Sequence, residues 1–554
     1  MSEQELKLNV PVKAQARVEQ AVKRAKFSQI QLRALYFDTP SRALARARIG
    51  LRLRLEGNQW VQTLKMPGSH SLSRIEINED RPEASLELSI YSETPAGEIL
   101  SKLTEPLQVC YETDVQRLLR DIRTPHGVVE LAFDRGLIRA GALELPISEV
   151  EFELKRGQLE AVFEIGRKWQ EKFGLILDFR SKAERGDRLV QLAQSLTVIE
   201  AMSVQDADSL ERQAETRAKR VADFWKPRGA EFLSVVSVVK QRDPAQVLAA
   251  ITTECLEQIV RNTSVLCEVD TAGICQVGTP EHIHQLRVGI RRLRSAWSFF
   301  DGLTALPSLE HREQIKQYFS LLGGTRDQDV LQESVLPVLA VAGLPPLVLS
   351  PSPHQGSGSQ LVASAGFQRW LLDMLALCTM PEKSILTPSA TSMAALPLNP
   401  VTVPAPNSQG HDIFQFPHAP LIPRKPPLKP LLIKKLKQWH RKIVRNGMAF
   451  RVLEIEQQHA LRKKCKRLRY VLQFCESLLP ETHLQSYRKH LATVQDILGE
   501  MNDLYVALPL FESLKTDQPQ AWFACGWIQA RQAALTDKAS GAFRRLANAT
   551  PPWD

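Results

Sequence analysis

The chain of 554 residues is too long for one ordinary core, so two or three domains are expected. Its 44% apolar and 24% charged content fits a soluble globular protein, and no run approaches the roughly 18 apolar residues that a membrane-spanning helix needs. Lys plus Arg number 71 against 61 Asp plus Glu, a formal net charge of +10, which points to polyanionic partners without choosing between nucleic acid, an anionic membrane and a phosphate chain. The eight cysteines form no C-x-x-C pair, so neither a zinc site nor a disulfide framework is indicated. With a polar N-terminus, that usage predicts a cytoplasmic location.

In chain order, SEQELKL (residues 2–8) sets Glu3, Glu5 and Lys7 at alternate positions. This is either a frayed terminus or a strand with three charges on one face. VEQAVKRAK (18–26) has helical spacing, and LRLRLEGNQWVQTLKM (51–66) reads as a hairpin around a polar turn, with SRIEINED (73–80) continuing the alternation. TDVQRLLRDI (113–122) reads as a helical patch. VVELAFDRGLIR (128–139) and LELPISEVEFELK (143–155) predict strands punctuated by Asp-Arg-Gly and Gly-Ala turns, and AVFEIGRKWQEKFG (161–174) a helix. Successive short strands favour an antiparallel sheet or barrel over parallel βαβ units, an α+β arrangement.

Charge alternates through the same segments: Arg52 and Arg54; Thr63 and Lys65; Arg74 and Glu76; Glu130 and Asp134; Glu149, Glu151, Glu153 and Lys155. One strand with a wet face would show the same thing. Five or six such strands, with Leu51, Leu53, Leu55, Val150, Phe152 and Leu154 on the opposite faces, predict a closed barrel with a hydrophilic lumen and helices outside. Arg52, Arg54 and Lys65 suit phosphoryl oxygens. Glu3, Glu5, Glu149, Glu151 and Glu153 are hard oxygen ligands suited to Mg²⁺ or Mn²⁺. Each set alone is electrostatically strained, and a metal–triphosphate balances both. The expected chemistry is phosphoanhydride hydrolysis.

Beyond about residue 230 the period becomes helical, as in AQVLAAITTECLEQIVRNTSVL and HREQIKQYFSLLGG. Residues 343–360 are rich in Pro, Ser and Gly, and 396–432 are crowded with proline, which predicts an extended insertion at about 382–432. The helical half also contains a repeat. His284, Arg287, Arg291, Arg292, Leu293 and Arg294 match His459, Arg462, Lys466, Arg467, Leu468 and Arg469 at one constant offset, and LGGTRDQDV (322–330) answers LGEMNDLYV (498–506) with Asp327 opposite Asp503. At about 100° per residue, His284, Arg287, Arg291 and Arg294 share one arc beside an apolar arc of Leu286, Ile290, Leu293 and Trp297. A solvated face would normally mix signs for i, i+4 pairing. A wholly positive stripe, present twice, predicts an external anion. With no stacking aromatics in the stripe, a bare phosphate chain is the economical ligand, and no specific nucleic acid or membrane partner is expected.

Residues 230–550 resemble the CHAD domain, a duplicated helical bundle. The resemblance implies polyphosphate binding at His284, Arg287, Arg291, Arg294, His459, Arg462, Lys466 and Arg469. The E-x-E-x-K start, YFDTP (36–40), LRLR (51–54), WVQTLK (60–65), VELAFDRG, SEVEFELK (148–155) and SKAERG (181–186) resemble the CYTH family, the triphosphate tunnel metalloenzymes, in family order. By that resemblance Lys7, Arg52, Arg54, Lys65, Arg117 and Lys182 hold a triphosphate, with Arg117 and Lys182 placed by it alone. Glu3, Glu5, Glu151 and Glu153 are the implied metal ligands or water activators, Glu149 and Glu130 further candidates, and Glu5, Lys7, Glu151 and Glu153 the implied catalytic set. The implied domains are a barrel at 1–200, a linker helix region at 201–230 and an all-α duplicated bundle at 231–550. CYTH before CHAD resembles the bacterial inorganic triphosphatases, which implies cleavage of tripolyphosphate to pyrophosphate and phosphate. A class IV adenylate cyclase, a thiamine triphosphatase using Trp60, and a non-catalytic polyphosphate scaffold are the alternatives.

Overall fold

A computed structural model describes residues 2–68, 72–201, 207–231, 243–271, 278–323, 331–349, 357–380 and 427–553. Nine strands open the chain: β1 Ser2–Asn9, β2 Ser28–Asp38, β3 Gly50–Glu56, β4 Gln59–Pro67, β5 Ser73–Arg81, β6 Gln108–Thr124, β7 Gly127–Ala140, β8 Leu143–Gly157 and β9 Ile176–Leu177. They hydrogen-bond in the order β5-β4-β3-β2-β6-β7-β8-β1-β9. Strand β1 bonds β8 along Glu5–Asn9 and also β5 through Ser2–Gln4, which closes the sheet into an antiparallel barrel of eight strands. The opening stretch is therefore a strand, and the strand that joins the two edges.

Period-two alternation decides what faces outward. Leu6, Leu8, Leu51, Leu53, Leu64, Leu131, Phe133, Val150 and Phe152 are buried against external helices. Helix α1 (Gln15–Lys23) buries Val18 and Val22, and α2 (Glu160–Phe173) sets Trp169 edge-on to Phe152 at 6.1 Å. At Gly166 of α2 a Cβ would stand 2.5 Å from Leu6 Cδ2, so a larger residue there would force the Leu6 side chain to shift. Helix α3 (Lys182–Glu200) packs on β6, β7 and β8, and α4 (Ala207–Ala222) packs on α3. Phe224 and Trp225, in the region read as a linker, join the apolar cluster over Tyr36, Tyr111 and Ile138.

Two local expectations are corrected. Residues 113–122 are strand, not helix: β6 pairs β2 from Ser28↔Leu119 and β7 through Glu112↔Arg139. Val115, Leu118, Leu119 and Ile122 happen to recur at helical spacing, and pairing on both sides overrides that signal. The Asp-Arg-Gly at 134–136 is not a turn, because β7 runs straight through it. Gly136 is there because a Cβ would lie 2.0 Å from the Asp114 carbonyl oxygen of β6. The Gly141–Ala142 turn does separate β7 from β8.

The helical half comprises α5 Pro244–Leu266, α6 Pro280–Phe300, α7 Leu309–Leu321, α8 Ala365–Thr379, α9 Leu428–Met448, α10 Ile455–Phe474, α11 Glu481–Leu514 and α12 Ala521–Asn548, with short helical turns between. Helices α5 and α6 start with Pro at N1 behind Asp243 and Thr279 caps. The expected apolar arc of α6 (Leu286, Ile290, Leu293, Trp297) is buried, and α6 packs against α10, the helix of the second copy. The proline-rich insertion lies outside the described residues up to 426, as does Asp327. Its expected end is corrected: Leu428–Leu432 already form the first turns of α9, with Pro430 where a missing N–H costs little. One apolar cluster runs from Leu6 of β1 to Leu546 of α12, and α2 packs on α8.

Candidate active site in the barrel and a basic face on the bundle

The barrel interior opens into a cavity of about 1470 Å³ that extends out to α5 at Gln246, Glu257 and Arg261 and is lined inside the barrel by Glu5, Lys7, Arg52, Arg54, Lys65, Arg117, Glu149, Glu151, Glu153 and Lys182. Every expected barrel residue with a described side chain is thus in one space. Glu3 lies in β1 opposite Arg74, and its side chain is outside the described set.

Strand register explains the grouping, since directly paired residues project from the same face. Lys7 pairs with Glu151, Glu5 with Glu153, Asp134 with Glu149, Arg117 with Asp134, and Lys65 with Glu76. Lys182 enters from the first turn of α3. Its ammonium contacts Asp134 at 2.7 Å, Glu149 at 2.5 Å and Glu151 at 2.7 Å. Arg117 forks onto both oxygens of Asp134 at 2.7 Å and reaches Glu151 at 2.5 Å. Lys7 lies 3.8 Å from Glu149 and donates to the Arg180 carbonyl. Arg52 donates to the Tyr36 hydroxyl at 3.2 Å and stands 3.9 Å from Glu76, which also pairs with Lys65. Arg54 pairs with Glu56. Glu153 sits toward a more exposed end, 3.8 Å from Lys155, which bonds Glu130 at 3.3 Å.

Protonation follows from these partners. Burial pushes the Glu5 carboxyl up to about 7, and the negative charge of Glu151 adds to the shift. Burial also raises Glu153. Burial would raise Glu151 as well, but Lys182 and Arg117 outweigh it and hold that carboxyl well below the usual range. Burial and neighbouring Arg52 lower Arg54 to about 10, still charged at neutral pH.

Asp134, Glu149 and Glu151 each offer an oxygen, and the three lie within 4.8 Å of one another, a compact hard-ligand set able to hold a divalent cation. The fit extends to Glu5, whose ionisation a nearby cation would favour. Asp134 stands in the expected charge alternation with Glu130, but the reading of 134–136 as a turn kept it out of the expected ligand set. Glu76, named in the alternation with Arg74, gains its role as the partner of Lys65 through strand register. Arg180 and Asp270 carry no sequence signal, and Arg185 lies in the SKAERG block without a role assigned to it; the three form a buried chain beneath the Lys182 end.

On the bundle, Arg287, Arg291 and Arg294 surround Phe319 of α7, their guanidinium carbons 4.6, 5.8 and 5.7 Å from the ring centre. An aromatic ring therefore does accompany the stripe, supplied by a neighbouring helix. The two copies also meet. Burial and Arg467 lower Arg294, while burial, Arg462 and Arg291 bring Lys466 down to about 7. The His459 ring lies tilted against Tyr505 at 5.4 Å, and Arg469 is exposed beside Tyr470. His284 is half-buried on α6.

Comparison with known proteins places this geometry. Residues 1–186 match the model of the CYTH domain and residues 250–512 that of the CHAD domain. The curated inorganic triphosphatase of Haemophilus influenzae is 33% identical over 200 residues, 33% of this chain and 54% of that protein, so the chain spans about half the length of the curated relative it matches. Among solved structures, the CHAD domain of Ricinus communis aligns at 25% identity and a TM-score of 0.42, covering 59% of this chain and 98% of that one. The PH1819 protein of Pyrococcus horikoshii aligns at 20% identity and a TM-score of 0.22, over 33% and 96%. The two family models together show a CYTH domain followed by a CHAD domain in this chain.

Proposed function

We propose that the barrel hydrolyses inorganic tripolyphosphate to pyrophosphate and phosphate with Mg²⁺ or Mn²⁺. The observation that carries this reading is the convergence of Lys7, Arg52, Arg54, Lys65, Arg117 and Lys182 on one cavity that also holds Glu5, Glu149, Glu151 and Glu153. The cations take the phosphoryl oxygens, with the arginines able to bind them in pairs. The divalent ion, held by Asp134, Glu149 and Glu151 with help from Glu5, would neutralise charge on the phosphates. Binding of a polyanion competes for Lys182 and Arg117 and frees carboxylate oxygens. Glu5, near neutral in pKa, accepts a proton from the attacking water as the P–O–P bond breaks and pyrophosphate leaves. Phosphate release from tripolyphosphate, ATP and thiamine triphosphate, with Glu5→Ala as control, tests the reading. Equal release by the control removes the enzyme, leaving a non-catalytic scaffold, and rapid cyclic AMP formation from ATP favours a cyclase.

The helical half is read as a polyphosphate-binding face. The merging of both basic stripes, where Arg291 of one copy acts on Lys466 of the other, supports this. Replacing Arg287, Arg291, Arg462 and Lys466 by Ala should abolish retention on polyphosphate resin while sparing tripolyphosphate turnover. Salt should weaken retention steeply in the unaltered chain, because bound cations release counterions. Unchanged retention would refute the face. Seven cysteines among the described residues are unpaired, which supports the cytoplasm as the setting.

A further inference from the structure

The first turn of α3 carries Lys182, Glu184 and Arg185, and the helical half grips that turn at two points. Arg261 of α5 donates to Glu184 at 2.9 Å. Deeper in, Asp270, which follows α5, forms an ion pair with Arg185 at 2.7 Å and accepts a hydrogen bond from its Nη2 at 2.8 Å. Arg185 is only 1% exposed and extends its other side to Glu149 at 2.7 Å and to the Pro146 carbonyl at 2.7 Å. Glu149 in turn holds the Lys182 ammonium at 2.5 Å. A line of alternating charge therefore runs from the bundle to the barrel's phosphate-facing cations. The backbone also departs from the ordinary here: Asp270 and Glu268 are non-glycine residues at φ 59° and 62°. Such left-handed residues persist only where surroundings enforce them. Asp270 is held by the Trp225 indole N–H on its carbonyl at 3.0 Å and by Arg180, 3.8 Å from its carboxylate.

We propose that Asp270 is a positioning residue for the barrel reaction, supplied by the helical half, acting through Arg185 and Glu149 on Lys182; this rests on the triphosphatase reading. Arg185 cannot recruit solvent at its depth. Without Asp270 its charge keeps Glu149 as its directly paired counter-ion, with Asp178 acting from farther off, and Glu149 is drawn off Lys182. The phosphate-binding set is thus complete only when the bundle is docked.

The test uses the full chain and three variants, Asp270→Asn, Asp270→Glu and Asp373→Asn. Asp373 of α8 pairs with Arg167 of α2 at 2.7 Å, so its loss loosens the same docking without touching the line to Lys182. Measured are KM and kcat for tripolyphosphate, and its equilibrium binding by calorimetry without divalent ion. Asp270→Asn should raise KM and Kd about tenfold with a smaller change in kcat, as loss of an outer partner does elsewhere. Asp270→Glu should recover most of that, and Asp373→Asn should stay within about twofold of the unaltered chain. A folded Asp270→Asn with unchanged KM and Kd, or one no different from Asp373→Asn or Asp270→Glu, overturns the proposal. If Asp270→Asn does not fold, Arg185→Lys carries the test. It keeps the charge but loses the two-sided fork, and an unchanged KM and Kd there overturns the proposal equally. If the unaltered chain binds tripolyphosphate without cleaving it, the triphosphatase reading falls, while the binding arm still decides for or against Asp270.

Discussion

Replacing Glu5 by Gln should make the protein more stable at pH 8 while abolishing hydrolysis. The Glu5 carboxyl rises from 4.5 to about 7 in the folded state, so the folded chain binds that proton more tightly than the unfolded one. Stability linked to Glu5 is intact below about 4.5, falls as pH rises, and is fully lost above about 7. At 1.36 kcal/mol per unit, the deficit at pH 8 is about 3 kcal/mol, an upper bound because the side chain opens onto a wet cavity. Gln has the same shape and no charge to bury, so it should recover much of that deficit. For a domain of this size, 1 kcal/mol corresponds to about 2–4 °C in Tm. Thermal unfolding in EDTA should show Glu5→Gln several degrees above the unaltered chain at pH 8, with the gap closing toward pH 5. Adding Mg²⁺ should raise the Tm of the unaltered chain more than that of the variant. A variant that melts at or below the parent at pH 8, or gains equally at both pH values, would refute the electrostatic argument.

Three other outcomes are expected. Arg117→Lys keeps the charge but cannot fork onto Asp134 while reaching Glu151, so tripolyphosphate kcat/KM should fall at least about tenfold with stability lowered by about 1–3 kcal/mol, read by steady-state kinetics and urea melts. Gly186→Ala would place a Cβ 2.2 Å from the Tyr111 ring, itself stacked on Tyr36 at 4.6 Å. Helix α3 must shift and carry Lys182 with it, costing about 1–3 kcal/mol and raising KM; an unchanged melting curve and KM would contradict the tight seat. Lys466, at about 7, is charged below that pH, so polyphosphate retention should weaken between pH 6 and 8 in the unaltered chain and lose that slope in Lys466→Arg.

Much of this site was legible because a barrel obeys a period of two. Glu5, Lys7, Arg52, Arg54, Glu149, Glu151 and Glu153 alternate with leucines, valines and phenylalanines that lie under helices, and the cavity gathers those charges. Arg117 was reachable only through a family resemblance, because Val115, Leu118, Leu119 and Ile122 imitate a helix and strand pairing is not written locally. Asp134 was visible in the charge alternation, but its part in the ligand set was missed because a glycine needed for close strand approach looked like a turn. Arg185 stood in the SKAERG block, but its pairing with Asp270 could not be foreseen, since nothing in either segment announces that residues 85 apart share a buried ion pair.

The barrel's closing strand has a kinetic consequence. Strand β1 is synthesised long before its main partner β8, which ends at Gly157, so Glu5 and Lys7 wait for a long loop of chain before they have these neighbours. Closure of such distant pairs is slow. Until it happens, Leu6 and Leu8 are bare, and the nascent chain is at its most vulnerable to misassociation.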